Sequence, residues 1–227
     1  MEQYFEKIFE TEIFLDRVRD QENPLGNLIT TVFMRVAEDH GIKADFSIIN
    51  HGAFRSTWYP GVVQYQHFYG MFPFSNRIVT FELSGKDLID MLRRVQNGWD
   101  GFYYTDGIFQ TVSLTEVTNE DGSKVMQKGF VDASMLDGSE IDPERIYTGC
   151  TLQFLLNGGD DFIKAFGETD LIDPETGAPF VPLEPKNIQD VGEQREEFMK
   201  QLKAIGVATA EDWDVDPENP RMVVENH

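Results

Sequence analysis

The chain has 227 residues, enough for one large domain or two small ones around a sizeable core. Its 40 acidic and 19 basic residues give a net charge of −21. That sign repels nucleic-acid backbones and anionic lipid and argues against both as partners, although a few arginines can still build a local pocket for a small anion. No apolar run nears the ~20 residues needed to span a membrane, and no signal peptide is read at the start.

In chain order, residues 1–20 are charged and amphipathic and predict an opening helix followed by a short strand over residues 12–18. "NPLGNLITTVFMRVAEDHG" places Leu25, Leu28, Ile29, Val32 and Val36 at helical spacing with Gly41 as the stop. "ADFSIIN" is an apolar run of strand length ending at a glycine turn, and His67 falls on a short helix before "FPFSN". "RIVTFEL" alternates, with Val79, Phe81 and Leu83 on one face, and predicts a half-buried strand. In "SGKDLIDMLRRVQNG", Ser84 and Asp87 form a capping box and Leu88, Met91, Leu92 and Val95 a buried stripe. From Tyr103 to Thr151 the pattern is strand-like, broken by Asp121–Gly122 and Asp137–Gly138 turns. Beyond Phe166, "GETDLIDPETGAPFVPLEPKN" reads as a Pro- and acid-rich surface excursion, "DVGEQREEFMKQLKAIG" as a last helix, and the tail as a final strand. Helices mixed with hairpin-linked strands point to α+β, with mixed β-sheet layers flanked by helices.

Two glycine turns stand out, "NHGAFRS" and "NGGDDF". In the first, Gly52 permits close backbone approach while Asn50 and Arg55 offer donors, and arginine suits a bidentate grip on phosphate or carboxylate. A tight turn with a surface arginine accounts for the same residues. "FPFSN" reads equally as a loop plugged into a core by its rings, and aspartates in a Gly-Gly turn are commonplace. Eighteen phenylalanines suggest either aromatic-rich packing or aromatic ligand platforms. The single cysteine, Cys150, excludes an internal disulfide and reads as a small buried strand residue.

The order of "VRDQENPLGNLIT", "DFSIINHGAFR", "YGMFPFSNRIVTFELSGKDLIDML", "GFYYTDGIFQ" and "IDPERIYTGCTLQFLLNGGDDF" resembles the C-terminal, substrate-binding domain of the 5′-nucleotidase family. The resemblance covers roughly residues 12–166 and extends to the final helix. It implies a nucleotide-binding domain over residues 1–166, with residues 167–227 forming an excursion, helix and tail packed on it. It further implies that Arg19 and Arg55 hold a substrate phosphate, Asn50 reaches the base, and Phe74 and Phe154 sandwich it. Asn76 lies beside that clamp, Gly101 lines the pocket with backbone, and Asp160 binds ribose hydroxyls. Two positions depart from the family pattern, His51 and Asp161 each standing where glycine is usual. A requirement for positive φ at either would strain the residue, and Asp161 adds negative charge beside the sugar site.

The family's chemistry resides in a separate N-terminal metallophosphoesterase domain, where a pair of divalent metals such as zinc or manganese activates water. This chain is expected to hold no metal and no catalytic residue: His40, His51, His67 and His227 lack metal-ligand spacing, no Gly-x-Ser-x-Gly elbow is present, and Cys150 has no evident histidine partner. The resemblance therefore implies the nucleoside- and nucleotide-binding part of a hydrolase that cleaves nucleoside 5′-phosphates, its partners being that ligand and the metal domain. It also implies an extracellular, periplasmic or cell-surface setting. The alternative is a non-catalytic nucleoside sensor or structural module that retains the fold.

Overall fold

The computed structural model describes residues 2–19, 21–98, 102–119, 121–164 and 171–226. After a single turn at Glu2–Phe5, the elements in chain order are β1 (Lys7–Thr11), α1 (Pro24–Asp39), β2 (Phe46–Asn50), β3 (Gly61–Gln64), α2 (Tyr65–Met71), β4 (Arg77–Ser84), α3 (Gly85–Asn97) and β5 (Tyr103–Asp106). They continue with β6 (Ile108–Thr118), β7 (Lys124–Met135), β8 (Ile146–Leu152), α4 (Gln153–Leu156), β9 (Lys186–Glu193), α5 (Gln194–Ile205), β10 (Val207–Ala208), α6 (Ala210–Trp213) and β11 (Met222–Asn226).

A five-stranded sheet in the order β5-β2-β8-β4-β9 forms the centre, with two three-stranded sheets, β10-β1-β3 and β11-β6-β7, beside it. The arrangement is α+β. Strand β2 runs parallel to β8 and antiparallel to β5, while β4 is antiparallel to both of its neighbours. Every residue of β2 is buried. At the crossing of β2, β8 and β4, Gly149 leaves room for the Phe46 and Phe81 rings, which meet edge to face; a Cβ there would fall 2.5 Å from Phe46 and 2.6 Å from Phe81.

The helices follow from their caps and stripes. Asn23 accepts the Gly26 N–H at 2.7 Å, Pro24 takes the first position where no N–H is needed, and Gly41 at φ +76° closes the exit. Leu25, Leu28, Ile29, Val32 and Val36 are all fully buried, as their spacing predicts. Ser84 accepts the Asp87 N–H at 3.1 Å to start α3. The expected turns at Gly122 and Gly138 adopt left-handed backbone.

Four expectations are corrected. The opening helix is a single turn, and the first strand is Lys7–Thr11 rather than residues 12–18. Thr11 turns its hydroxyl onto Ile13, accepting its N–H and donating to its carbonyl, so the strand ends there and only a Leu15–Trp58 bridge comes after it. Strand β4 is buried on both faces instead of one, Ile78 and Thr80 on one side and Val79 and Phe81 on the other, with α3 and α4 packed against it. Residues 190–193, read as helix, complete strand β9. Gly192 at φ +128° takes up a register shift in the pairing with β4, and Glu193 ends the strand and caps the next helix by accepting the Glu196 N–H at 2.9 Å. The two short elements β10 and α6 carry no periodicity long enough to be read in advance.

One hydrophobic cluster runs from Ile8 to Met222 and includes Val191, Phe198, Leu202 and Trp213 from the C-terminal part. The tail strand β11 pairs parallel with β6. Glu22, only 8% exposed, ties it to α1: one carboxylate oxygen accepts from Asn27 at 2.6 Å, and the other accepts the Arg221 and Met222 N–H groups at 2.9 and 3.1 Å. Glu22→Ala leaves these buried donors unmet and is expected to cost about 2–3 kcal/mol in chemical denaturation, with faster amide exchange concentrated in β11.

Candidate functional site

Strands β2 and β8 end side by side because they are parallel, and the site is built on the turns at their C-terminal ends. Asn50 closes β2 and is 2% exposed; the chain then makes one tight turn, His51–Ala53, and extends through Phe54. Arg17 clasps this turn from the connector after β1: its Nε donates to the Phe54 carbonyl at 2.5 Å and its Nη2 to the His51 carbonyl at 3.2 Å. His51 does not have positive φ, so its departure from glycine carries no left-handed strain. Its ring is buried between Phe54 and Tyr104. Tyr104 donates to the Val18 carbonyl at 2.7 Å, so the hydroxyl oxygen accepts from His51 Nδ1–H at 3.1 Å.

Beyond β8, α4 carries Phe154, and Gly158 at φ +97° turns the chain into Gly159–Asp161. Asp160 and Asp161 both lie in the left-handed region, at φ +51° and +58°. At Asp161 the usual glycine is therefore replaced where glycine is favoured, a cost of order 1 kcal/mol that aspartate bears better than most residues. Gly159 lets the Phe154 ring lie against the backbone, since a Cβ there would collide with it. Tyr103 of β5 fixes the turn by donating to the Asp160 carbonyl at 3.0 Å. Asn50 then joins the two halves, its Nδ2 donating to Asp160 Oδ2 at 2.5 Å across 110 residues of sequence.

Between them lies a cavity of about 170 Å³ whose lining includes Asn50, Arg55, Phe74, Asn76, Phe154 and Asp160. Its volume matches the roughly 150 Å³ known to hold one aromatic ring. Phe74 and Phe154 are 48% and 39% exposed, high for phenylalanines that would otherwise serve the core. The Arg55 guanidinium lies 5.5 Å from the centre of the Phe74 ring and makes no ion pair among the described residues. Larger clefts of about 530 and 650 Å³ occur around residues 211–224, but Glu22 and Asp214 line both, and Glu211, Asp212, Asp216 and Glu218 add to the first. Such walls repel a phosphate.

Of the other expected site residues, Arg19 is exposed on the connector before α1 and does not line the cavity. Gly101 lies outside the described residues. Sequence reading missed Arg17, Tyr103 and Gly159, whose roles depend on contacts between distant segments. Among the described residues no group of three or more His, Cys, Asp or Glu side chains is arranged to hold a metal ion. His40 Nδ1 meets the Val36 carbonyl at 2.9 Å, and His67 Nδ1 accepts the Gln64 N–H at 3.0 Å as part of the α2 cap. Cys150 is fully buried in β8, and burial pushes its thiol up, away from the thiolate.

The model of a family described as "5'-nucleotidase, C-terminal domain" matches residues 7–168. Protein UshA from Escherichia coli is 27% identical over 188 residues, covering 78% of this chain and 31% of that protein. Cell wall protein Lmo0130 from Listeria monocytogenes is 27% identical over 177 residues, covering 70% and 21%. The crystal structure of a 5′-nucleotidase precursor from Thermus thermophilus superposes with a TM-score of 0.72 at 23% identity, covering 98% of this chain and 40% of that one. The chain thus spans less than a third of each of these two curated relatives.

Gly159→Ala drives a methyl into the Phe154 ring. It is expected to displace that ring and cost about 1–3 kcal/mol in chemical denaturation, the scale of overpacking a close contact. Cys150 is expected to stay unlabelled by a disulfide-exchange reagent until the chain unfolds, so that labelling and loss of circular dichroism coincide in denaturant.

Proposed function

The chain belongs to the 5′-nucleotidase C-terminal domain family, and on that premise we propose that it binds the nucleoside part of a nucleoside 5′-phosphate for a hydrolase whose metal-bearing domain lies elsewhere in a longer protein. The observation that carries this reading is the gathering of Asn50, Arg55, Phe74, Asn76, Phe154 and Asp160 around one cavity. Two exposed phenyl rings offer stacking faces that tolerate any base. Asp160 carries two acceptor oxygens suited to vicinal ribose hydroxyls, one of them already engaged by Asn50. Arg55 is a cation at the mouth, placed to meet a 5′-phosphate.

Arg19 enters this reading as a second cation on the connector, reaching a phosphate that extends out of the cavity. The described residues do not supply a ligand set for a metal pair, so no step of hydrolysis is assigned to them. Their part is to bind, stack and orient. An exported or cell-surface setting is proposed too, supported by the likeness to a protein named for the cell wall.

Three measurements test the reading. Phosphate release from AMP by this chain is expected to be absent with added Mn²⁺, Zn²⁺ or Co²⁺; turnover that persists through purification and responds to substitutions in the chain overturns it. Calorimetry is expected to give adenosine a dissociation constant in roughly the high micromolar range or weaker, because stacking must offset several kcal/mol of lost ligand freedom. A 5′-phosphate should add about 1 kcal/mol and lose that advantage as salt rises, since Arg55 is solvated. Phe154→Ala should weaken adenosine binding by about 1–3 kcal/mol with little change in Tm. A collapsed fold with unchanged binding assigns the ring to the core instead.

A further inference from the structure

Helix α5 lies beyond the residues matched by the family model, yet its first turn is fastened to the lip of the cavity. The Gln194 N–H donates to the Asn76 carbonyl at 2.9 Å, and Arg195 Nη2 donates to Ser75 Oγ at 2.9 Å. These two acceptors come directly after Phe74. Arg195 is itself held on two further sides: its Nε donates to Glu193 Oε1 at 3.2 Å, and its guanidinium carbon lies 5.0 Å from the centre of the Tyr69 ring on α2. One residue further along the strand, Arg77 grips Asp190 of β9 through two bonds of 2.7 Å. The segment bearing the exposed ring is thus tied to one C-terminal strand and helix at three successive residues.

Helix capping alone does not call for this arginine. The other Glu193 oxygen already accepts the Glu196 N–H at 2.9 Å, which caps α5 without help. An isolated ion pair between Glu193 and Arg195 would contribute little at a surface. What the arginine adds is the bridge from α5 to Ser75. With its side chain only 19% exposed, it is packed rather than waving in solvent. Phe74, by contrast, is half exposed and has solvent on its outer side. A ring in that position must be held before a base arrives, or the cost of ordering it is subtracted from binding.

We propose that Arg195 is a positioning residue for nucleobase recognition: by holding Ser75 it keeps Phe74 at the edge of the cavity in the orientation that a stacked base requires. The inference rests on the base-clamp reading of Phe74. It assigns a role in ligand recognition to a helix outside the family match, through a residue that itself touches no ligand.

The test is a double-substitution cycle on the whole chain, read by calorimetric titration of adenosine, whose neutrality removes any direct charge effect. Arg195→Ala is expected to weaken adenosine about three- to tenfold, the scale of freeing one or two side chains. It should leave the response to ribose 5-phosphate, which has no base, unchanged. In a Phe74→Ala background the same substitution should have no further effect. Ser75→Ala, which removes only the acceptor hydroxyl, should reproduce part of the loss and serves as the probe if Arg195→Ala lowers Tm. If Phe74→Ala weakens adenosine while both Arg195→Ala and Ser75→Ala leave it unchanged, the positioning role is overturned and the clamp stands. An equal loss from Arg195→Ala with and without Phe74 overturns it likewise. If Phe74→Ala itself has no effect, the clamp reading fails, and this inference fails with it.

Discussion

The parallel pairing of β2 with β8 is the contact on which the rest of the site depends. Phe46 lies opposite Gly149 and Ser47 opposite Cys150, so the two strands run in the same direction and finish together. Everything placed around the cavity from these strands, Asn50 and Arg55 on one side, Phe154 and Asp160 on the other, derives from that shared end. Parallel strands cannot be joined by a short hairpin, and the chain between them supplies β3 to β7 and two helices before returning. Gly149 makes the pairing possible, because the space where its side chain would be is taken by two phenyl rings. The short bond from Asn50 to Asp160 is the consequence at the surface: two turns far apart in sequence become one wall.

Around that wall the structure repeatedly fixes exposed groups through neighbours that do not line the cavity. Arg17 holds the turn carrying Arg55 by two of its carbonyls. Tyr103 holds the turn carrying Asp160 by a third. Gly159 gives the Phe154 ring a flat seat, and the first turn of α5 holds the residues after Phe74. In the base-clamp reading, half-exposed rings gain little from burial, so what they contribute depends on how few orientations they can adopt. The overall charge works in the same direction. With −21 on the chain, the Arg55 guanidinium, which makes no ion pair among the described residues, sets the mouth of this cavity apart from the acidic clefts near the tail.

The two departures from the family pattern have different physical outcomes. His51 stands where ordinary backbone is adopted, and its ring fills space between Phe54 and Tyr104, so it supports the turn. Asp161 stands in left-handed backbone directly after another left-handed aspartate. The turn is thereby modestly strained at the point where Asp160 presents its carboxylate, a pattern common at ligand-contacting turns.

The sequence by itself determined the long helices, the central strands and the family. Caps at Asn23 and Ser84 and the stripes from Leu25 to Val36 and from Leu88 to Val95 are local signals that need no distant partner. The ordered motifs, through the family resemblance they carry, named Asn50, Arg55, Phe74, Asn76, Phe154 and Asp160, all of which line the cavity, whereas each stretch read singly suits a core plug or an ordinary turn as well. Only the tertiary structure decided the rest. Strand β9 has a polar, exposed sequence and exists because β4 offers it an unpaired edge; the tail is legible as a strand, and the structure decided its partner β6 and its tie to Glu22. Arg17 grips the turn after Asn50 through the His51 and Phe54 carbonyls, a contact between segments more than 30 residues apart that no local pattern announces. Arg195 and Gly159 act on rings distant or offset in sequence, and no spacing rule encodes such contacts. Local patterns fix what each segment can become; the contacts between segments fix which side chains share a cavity.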